Sequence, residues 1–323
     1  MRRHSLLLLS LANLFSLILI WGLQNFIGEQ TGPTALLTYV PQHGFGVLSA
    51  ILIFASFRAK RKGWLALNCF SFVFFAFALL GFEVPTPSAG NEKTIRVMTY
   101  NVLGAYADAE EIAREIRAQN PDIVCLQESG YDFGDKVAAK FPDWHSRSEN
   151  DVTTLSHYPL LSSEKWPFRG TRNILETRWQ TPQGTLRVLN VHIATNLDNE
   201  RSRRSRIKQI LVDAKPSAMA RLEQLPYVDD ASNKTPYKDE PTVLCGDFNT
   251  PPRGLFYRAL RSEWDEAFAQ TGFGLGLTYS RKRPLLRIDY IWMKNGIRSK
   301  RTFVPDVNGS DHFPVVSDLI MPQ

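Results

Sequence analysis

Apolar residues are spread along this chain in two regimes that meet near residue 84. In the first, three long runs dominate, over about 5–27, 35–57 and 64–82, with almost no charge inside them. Each approaches the roughly 20 residues that a helix needs to cross about 30 Å of hydrocarbon. The second is the weakest, because Pro41, Gln42, His43 and two glycines interrupt it. It either spans despite the break or starts after Gly44 as a short or re-entrant segment. Basic residues flank the runs on one side only: Arg2 and Arg3 at the start, then Arg58, Lys60, Arg61 and Lys62 between the second and third. The loop between the first two carries Glu29 and no Lys or Arg. The positive-inside rule then predicts a three-helix anchor over 1–84 with the N-terminus and the 58–62 loop in the cytoplasm. Everything after Glu83 emerges on the extracytoplasmic face, as in an integral protein of a bacterial inner (plasma) membrane. A cleaved signal peptide is the competing reading of Arg2 and Arg3, but the first run is long for one and no small-x-small cleavage site follows it.

After a proline-containing linker over 85–92, the pattern over 93–323 becomes one of short apolar strands and amphipathic helices. Strands are expected over 94–102, 122–127, 152–156, 174–180, 185–193, 242–245, 287–292 and 313–320. Pro182-Gln183-Gly184 makes a hairpin of the fourth and fifth. Helices are expected from Asp108, as N-cap, to Gln119, over 133–141 and over 199–222. The stretch 226–240 reads as a polar surface excursion. Hairpins among the strands mean mixed sheets, and two packed sheets with helices outside would bury the pattern. The fold class expected is thus α+β, preceded by a transmembrane helical segment.

Charge changes the picture once it is divided in the same way. The net charge is +6, yet residues 1–84 hold six Lys and Arg against two acids, while the remainder holds 32 against 30. The basic excess belongs mainly to the anchor and is no argument for nucleic acid. Cys69, Cys125 and Cys245 lie in apolar surroundings without metal-ligand spacing, and are expected to be buried, inert thiols.

Polar residues recur where apolar strands end. Asn101 closes RVMTYN, Glu128 follows DIVCLQ, and His192 follows LRVLNV. Asp247 and Asn249 follow TVLCG, Asp289 sits inside RIDYIW, and Asp311-His312 precede FPVV. Burial alone gives no reason for this, since a carboxylate there is costly unless paired or metal-bound. Met98-Thr99-Tyr100-Asn101-Val102, Leu126-Gln127-Glu128, Gly246-Asp247-Phe248-Asn249, Arg287-Ile288-Asp289-Tyr290 and Ser310-Asp311-His312 together resemble, in order and spacing, the signature motifs of the endonuclease/exonuclease/phosphatase superfamily. The resemblance covers about 93–320. It implies a four-layer α/β/β/α sandwich and a metal-dependent hydrolase of phosphodiester or phosphomonoester bonds.

Chemistry and resemblance agree on roles. Glu128 is the expected ligand of Mg²⁺, or of Mn²⁺, which take oxygen donors. Asn101 would bind metal-linked water or a phosphate oxygen, and Asp311 would add metal contact or positioning. Asp247 would orient or deprotonate the attacking water, and Asn249 would donate to the phosphoryl oxygens. Asp289 would hold His312 as an imidazolium beside the scissile phosphate. His192 is either the acid for the leaving oxygen, as the resemblance to some phosphodiesterases implies, or a satisfied strand-end histidine. Arg172 is a further phosphate-clamp candidate.

Nucleic acid, lipid head groups and soluble phosphate esters compete as substrates. Arg201, Arg203, Arg204, Arg206, Lys208 and Arg281-Lys282-Arg283 could track a phosphate backbone or simply be solvated. A tether to the lipid bilayer through 1–84 favours a substrate met at the membrane surface. No protein partner is evident. The alternative from another class is an inactive phospho-ligand-binding or scaffold module on the same fold.

Overall fold

A computed structural model of the chain describes residues 3–86, 90, 92–104, 106–130, 132–167, 172–193 and 215–322. The basic run 201–208 and most of the helix expected over 199–222 lie outside these residues; a helix is present over 215–222.

The N-terminal third is helical. Helix α1 (Arg3–Gly22) continues into a wider turn over Leu23–Ile27, and α4 (Lys62–Phe74) does the same over Phe75–Leu79. The stretches Ser5–Gln30 and Lys62–Leu79 are long and apolar enough to cross a membrane. The expected span over 35–57 is not one straight helix. Helix α2 (Gly32–Tyr39) and the helical stretch Gln42–Arg58, which contains α3 (Val47–Arg58), meet at 85°. The break falls at Pro41, which has no N–H to continue the helix.

This bundle is polar inside and apolar outside. Leu8, Leu11, Phe15, Ile51, Phe54 and Phe70 are exposed, and Cys69 is exposed with them rather than buried as expected. Inside, Asn13 Nδ2 donates to Ser49 Oγ at 2.9 Å, and Asn68 Nδ2 donates to Ser10 Oγ at 2.9 Å and Ser56 Oγ at 3.0 Å.

The rest of the chain is a pair of six-stranded mixed sheets. The strands are β1 (Ile95–Asn101), β2 (Ile123–Gln127), β3 (His145–Glu149), β4 (Val152–Ser156), β5 (Leu160–Pro167) and β6 (Asn173–Thr181). They continue as β7 (Gly184–His192), β8 (Thr242–Asp247), β9 (Asp265–Glu266), β10 (Asp289–Lys294), β11 (Arg298–Phe303) and β12 (Val315–Ile320). One sheet runs β11-β12-β1-β2-β4-β3, the other β5-β6-β7-β8-β10-β9. Each has a single parallel pair near its centre, β1–β2 and β7–β8, with antiparallel strands on either side.

Three apolar clusters make four layers. Ile95, Val97, Ile123 and Cys125 of the first sheet face Val188, Val243, Cys245 and Ile291 of the second. The outer face of the first sheet packs Met98, Tyr100 and Leu126 against α5 (Ala109–Gln119) and α6 (Phe133–Ala138). On the far side Leu189, Leu244 and Trp292 pack against α8 (Leu225–Ser232) and α9 (Gly254–Arg261), with Leu222 at the end of α7 (the 215–222 helix) against the same cluster. The predicted two-sheet sandwich with outer helices is therefore the fold.

Helix α8 takes up the first half of the surface excursion expected over 226–240, and 233–240 is a run of turns at the surface. Pro226 lies in the first turn of α8, where a missing N–H costs nothing, and Val228 and Ala231 turn inward. Its last carbonyls are held by a buried side chain: Arg187 donates to Ser232 O at 2.8 Å and to Ala231 O, and pairs with Glu176 at 3.0 Å.

Candidate active site at the strand-end rim

Parallel strands deliver residues from their C-terminal ends, and their antiparallel neighbours deliver residues from their N-terminal ends, to the same edge of a sheet. The two central parallel pairs thus place Asn101, Glu128, His192 and Asp247 at one rim. Strand β10 adds Asp289, and the segment before β12 adds His312. Asp247 is the register partner of both His192 and Asp289.

Local backbone geometry is specialised at this rim. Glu128 and Asn249 have φ of 52° and 50°, in the left-handed region that side chains other than Asn and Asp rarely adopt. Gly246, with φ of 149°, lies against β7 so closely that a Cβ would be 1.8 Å from Val191 O. The glycine lets β8 approach its neighbour one residue before Asp247.

Two imidazoles converge on Asp247. His192 Nε2 lies 3.7 Å and His312 Nε2 3.8 Å from Asp247 Oδ2. Behind each ring stands a carboxylate: His192 Nδ1 pairs with Asp151 Oδ2 at 2.8 Å, and His312 Nδ1 with Asp289 Oδ2 at 2.9 Å. Burial works to lower the pKa of His312. Asp289, by charge and hydrogen bond, and the charges of Asp247 and Asp311 outweigh it and raise the value to about 10. Burial likewise works to raise Asp151, but the hydrogen bond and charge of His192, then Arg172, hold it below the ordinary carboxylate range. Each imidazole is therefore locked through Nδ1, with Nε2 turned to the rim.

Asn101 Nδ2 donates to Glu128 Oε1 and to Asp247 Oδ2, both at 3.0 Å, while its oxygen accepts from the Leu103 N–H at 3.2 Å. In this orientation it ties the carboxylates together; as a ligand of a cation it would present its oxygen instead. Asn249 Nδ2 donates to Ile193 O at 3.0 Å, and the Asn249 N–H to Asp247 Oδ1 at 2.8 Å. Arg172 Nη1 lies 3.6 Å from Asp151 Oδ2, so the clamp candidate joins the His192 side of the site. Asp311 lies beside these residues and reaches His312 by its charge.

Two acidic/His groups could hold a cation. Glu128, His192 and Asp247 each offer a ligand atom within 4.8 Å of one another, as do Asp247, Asp289 and His312. Both imidazoles are braced through Nδ1; the first group alone contains Glu128, whose side chain is open to solvent, so the first suits a divalent cation better.

Sequence reasoning missed two features. Asp151 sits in the turn before β4 rather than after an apolar strand, and only its position directly preceding VTTLS hinted at a rim. Beneath the rim, Gln127 Nε2 donates to Asn190 Oδ1 at 2.8 Å, and Asn190 Nδ2 donates to Thr153 O at 3.0 Å. This buried chain ties the two sheets together directly below the site, where both residues looked like ordinary strand positions.

A carboxylate and imidazole rim on two sheets flanked by helices defines a class, the phosphoesterase fold. A sequence profile of the Endonuclease/Exonuclease/phosphatase family matches residues 98–312, and the chain belongs to that family of hydrolases acting on phosphoester bonds. The fold is similar to that of an endonuclease/exonuclease/phosphatase from Beutenbergia cavernae, with TM-score 0.53 and 20% identity over 71% of this chain and 72% of that one. It is similar to a mannosyl-6-phosphatase from Bacteroides thetaiotaomicron, with TM-score 0.57 and 16% identity over 70% of this chain and 100% of that one. It is also similar to D. rerio TDP2 in complex with a single-strand DNA product, with TM-score 0.53 and 15% identity over 70% and 98% of the two chains. No curated protein matches the sequence.

Proposed function

We propose that this protein is a membrane-anchored, divalent-metal-dependent phosphoesterase that cleaves phosphodiester or phosphomonoester bonds by in-line attack of water. The observation that carries the reading is the convergence of two carboxylate-backed imidazoles on Asp247 beside Glu128. Glu128 and Asp247, with Asn101 and Asp311 near them, would hold Mg²⁺ or Mn²⁺; the hard oxygen donors fit, and the rim is half-open at Glu128. When bound, the cation would polarise the phosphoryl group and offset its charge.

The side chains divide the remaining work. Asp247 orients the water and takes its proton as the new O–P bond forms. Asn249 donates to the phosphoryl oxygens, as does the imidazolium of His312 held by Asp289. His192, oriented by Asp151, gives its Nε2 proton to the leaving oxygen as the old P–O bond breaks. Arg172 steadies this side of the site.

The anchor over 1–84 and the catalytic domain over 93–323, joined through 85–92, follow the physics of a bilayer. Exposed Leu and Phe surround small polar groups that bond between helices. The catalytic domain docks on residues 25–39, at the end of the bundle away from the basic 58–62 loop. By the positive-inside rule it then faces the extracytoplasmic side of a bacterial inner membrane.

The test uses the full chain in detergent with bis-p-nitrophenyl phosphate and p-nitrophenyl phosphate. Turnover should vanish in EDTA, return with Mg²⁺ or Mn²⁺, and be lost in Glu128→Gln. Turnover indifferent to EDTA defeats metal dependence. A folded protein that neither turns over nor binds either cation is the scaffold alternative.

A further inference from the structure

A large cleft beside the rim is not built by the catalytic domain alone. It encloses about 1030 Å³, against about 580 Å³ for a second cavity walled by Phe268 and Phe303. Asn249 and Asp311 line its inner end. One wall is supplied by the anchor, through Leu36, Tyr39, Val40 and Pro41. Leu286 and Ile288 of the catalytic domain also line the cleft.

That wall is fixed to the domain rather than resting on it. Arg221 Nε donates to Tyr39 Oη at 3.1 Å, and its guanidinium stacks over the Tyr39 ring at 4.4 Å. The Leu255 N–H donates to Glu29 Oε2 at 2.8 Å, and Arg253 Nη1 to Thr38 O at 3.3 Å. Gly254, with φ of 86°, makes the approach possible, because a Cβ there would be 2.4 Å from Glu29 Oε1. The wall ends at the 85° bend, where the chain turns from α2 into a stretch whose outer face is Val47, Leu48, Ile51 and Phe54. The apolar wall of the cleft is thus followed in the chain, past the bend, by the apolar exterior of the anchor.

Cations stand at the same cleft: Arg281 and Lys282 line it together with Arg221. Cations and the apolar side chains of Leu36, Val40, Leu286 and Ile288 in one cleft match an amphiphile.

We propose that the substrate is a membrane lipid carrying a phosphoester head group. Its phosphate enters the rim at Asn249 between Arg281 and Lys282, and its hydrocarbon chain lies along Leu36, Val40 and Pro41 of the anchor. The proposal rests on the phosphoesterase reading above. An apolar wall supplied by the anchor lets the hydrocarbon chain stay out of water while the head group reaches the site.

The experiment compares p-nitrophenyl decyl phosphate with p-nitrophenyl methyl phosphate, which share the scissile bond, on the full chain in nanodiscs with Mg²⁺. The decyl ester should have a kcat/KM higher by about tenfold or more. Val40→Asp, at an exposed position, should bring the ratio of the two esters close to one, and so should the milder Val40→Ser in part. Turnover of the methyl ester with no gain from the decyl chain overturns the lipid assignment and leaves the phosphoesterase reading standing. A ratio unchanged in both variants also overturns it, as does faster cleavage of a single-stranded oligonucleotide than of the decyl ester. Turnover of p-nitrophenyl phosphate alone overturns the lipid assignment and leaves the phosphoesterase reading standing; turnover of none of these substrates, p-nitrophenyl phosphate included, overturns both.

Discussion

Asp247 shows why single residues matter here: its carboxylate receives Asn101 and faces two imidazoles, each braced from behind. Glu128→Gln keeps the shape of the side chain and removes its charge. Turnover should fall by about 10²-fold or more, and isothermal titration should show Mg²⁺ affinity falling with it. Asp151→Asn removes the carboxylate behind His192 Nδ1. We expect kcat to drop by about 10²-fold while metal affinity is kept, a separation that the same titration measures. His312 gives the pH dependence. Its pKa is raised to about 10, so the imidazolium is present through neutral pH, and the activity that needs it is lost as pH rises through that value. In Asp289→Asn the alkaline limb should move to lower pH; a limb that stays put means that another group titrates. Any stability drawn from the His312–Asp289 pair has the same sign, being fully present below the ordinary histidine value and lost as pH climbs toward 10.

Elements differ in how far their sequences disclose them. Central strands β1, β2, β4, β7, β8 and β12 are almost wholly buried, and their apolar runs marked them plainly. Strands β3 (HSRSE) and β5 (LLSSEKWP) are exposed edges with no apolar alternation, so nothing in their pattern separated them from loops. Helix α8 was hidden by its proline and polar residues, because its packing depends on two small apolar positions and on Arg187 from another strand. The β7–β8 approach is testable at this scale. Gly246→Ala sets a Cβ against Val191 O, and thermal unfolding should show a loss of about 3 kcal/mol. A variant as stable as the parent would show that the strands can part there without cost.

For the whole molecule, the N-terminal helices and the sandwich are joined by several contacts. Glu83 forms an isolated bridge with Gly274 and an ion pair with Arg287 at 3.2 Å, and Phe82 packs edge-on to Phe273 at 5.6 Å. Sealed vesicles test the resulting topology. Protease added on the extracytoplasmic side should digest the catalytic domain, and protease confined to the cytoplasmic side should not. The sequence by itself determined the division at residue 84, the strand and helix alternation, and the rim residues, because burial and the exclusion of unpaired charge act on local pattern. It could not show that Asp151 backs His192, that Gln127 and Asn190 bind one sheet to the other, or that Tyr39 and Val40 line one cleft with Asn249. Those pairs lie 41 to 210 positions apart in the chain, and only the pairing and packing of the sheets and helices bring them together.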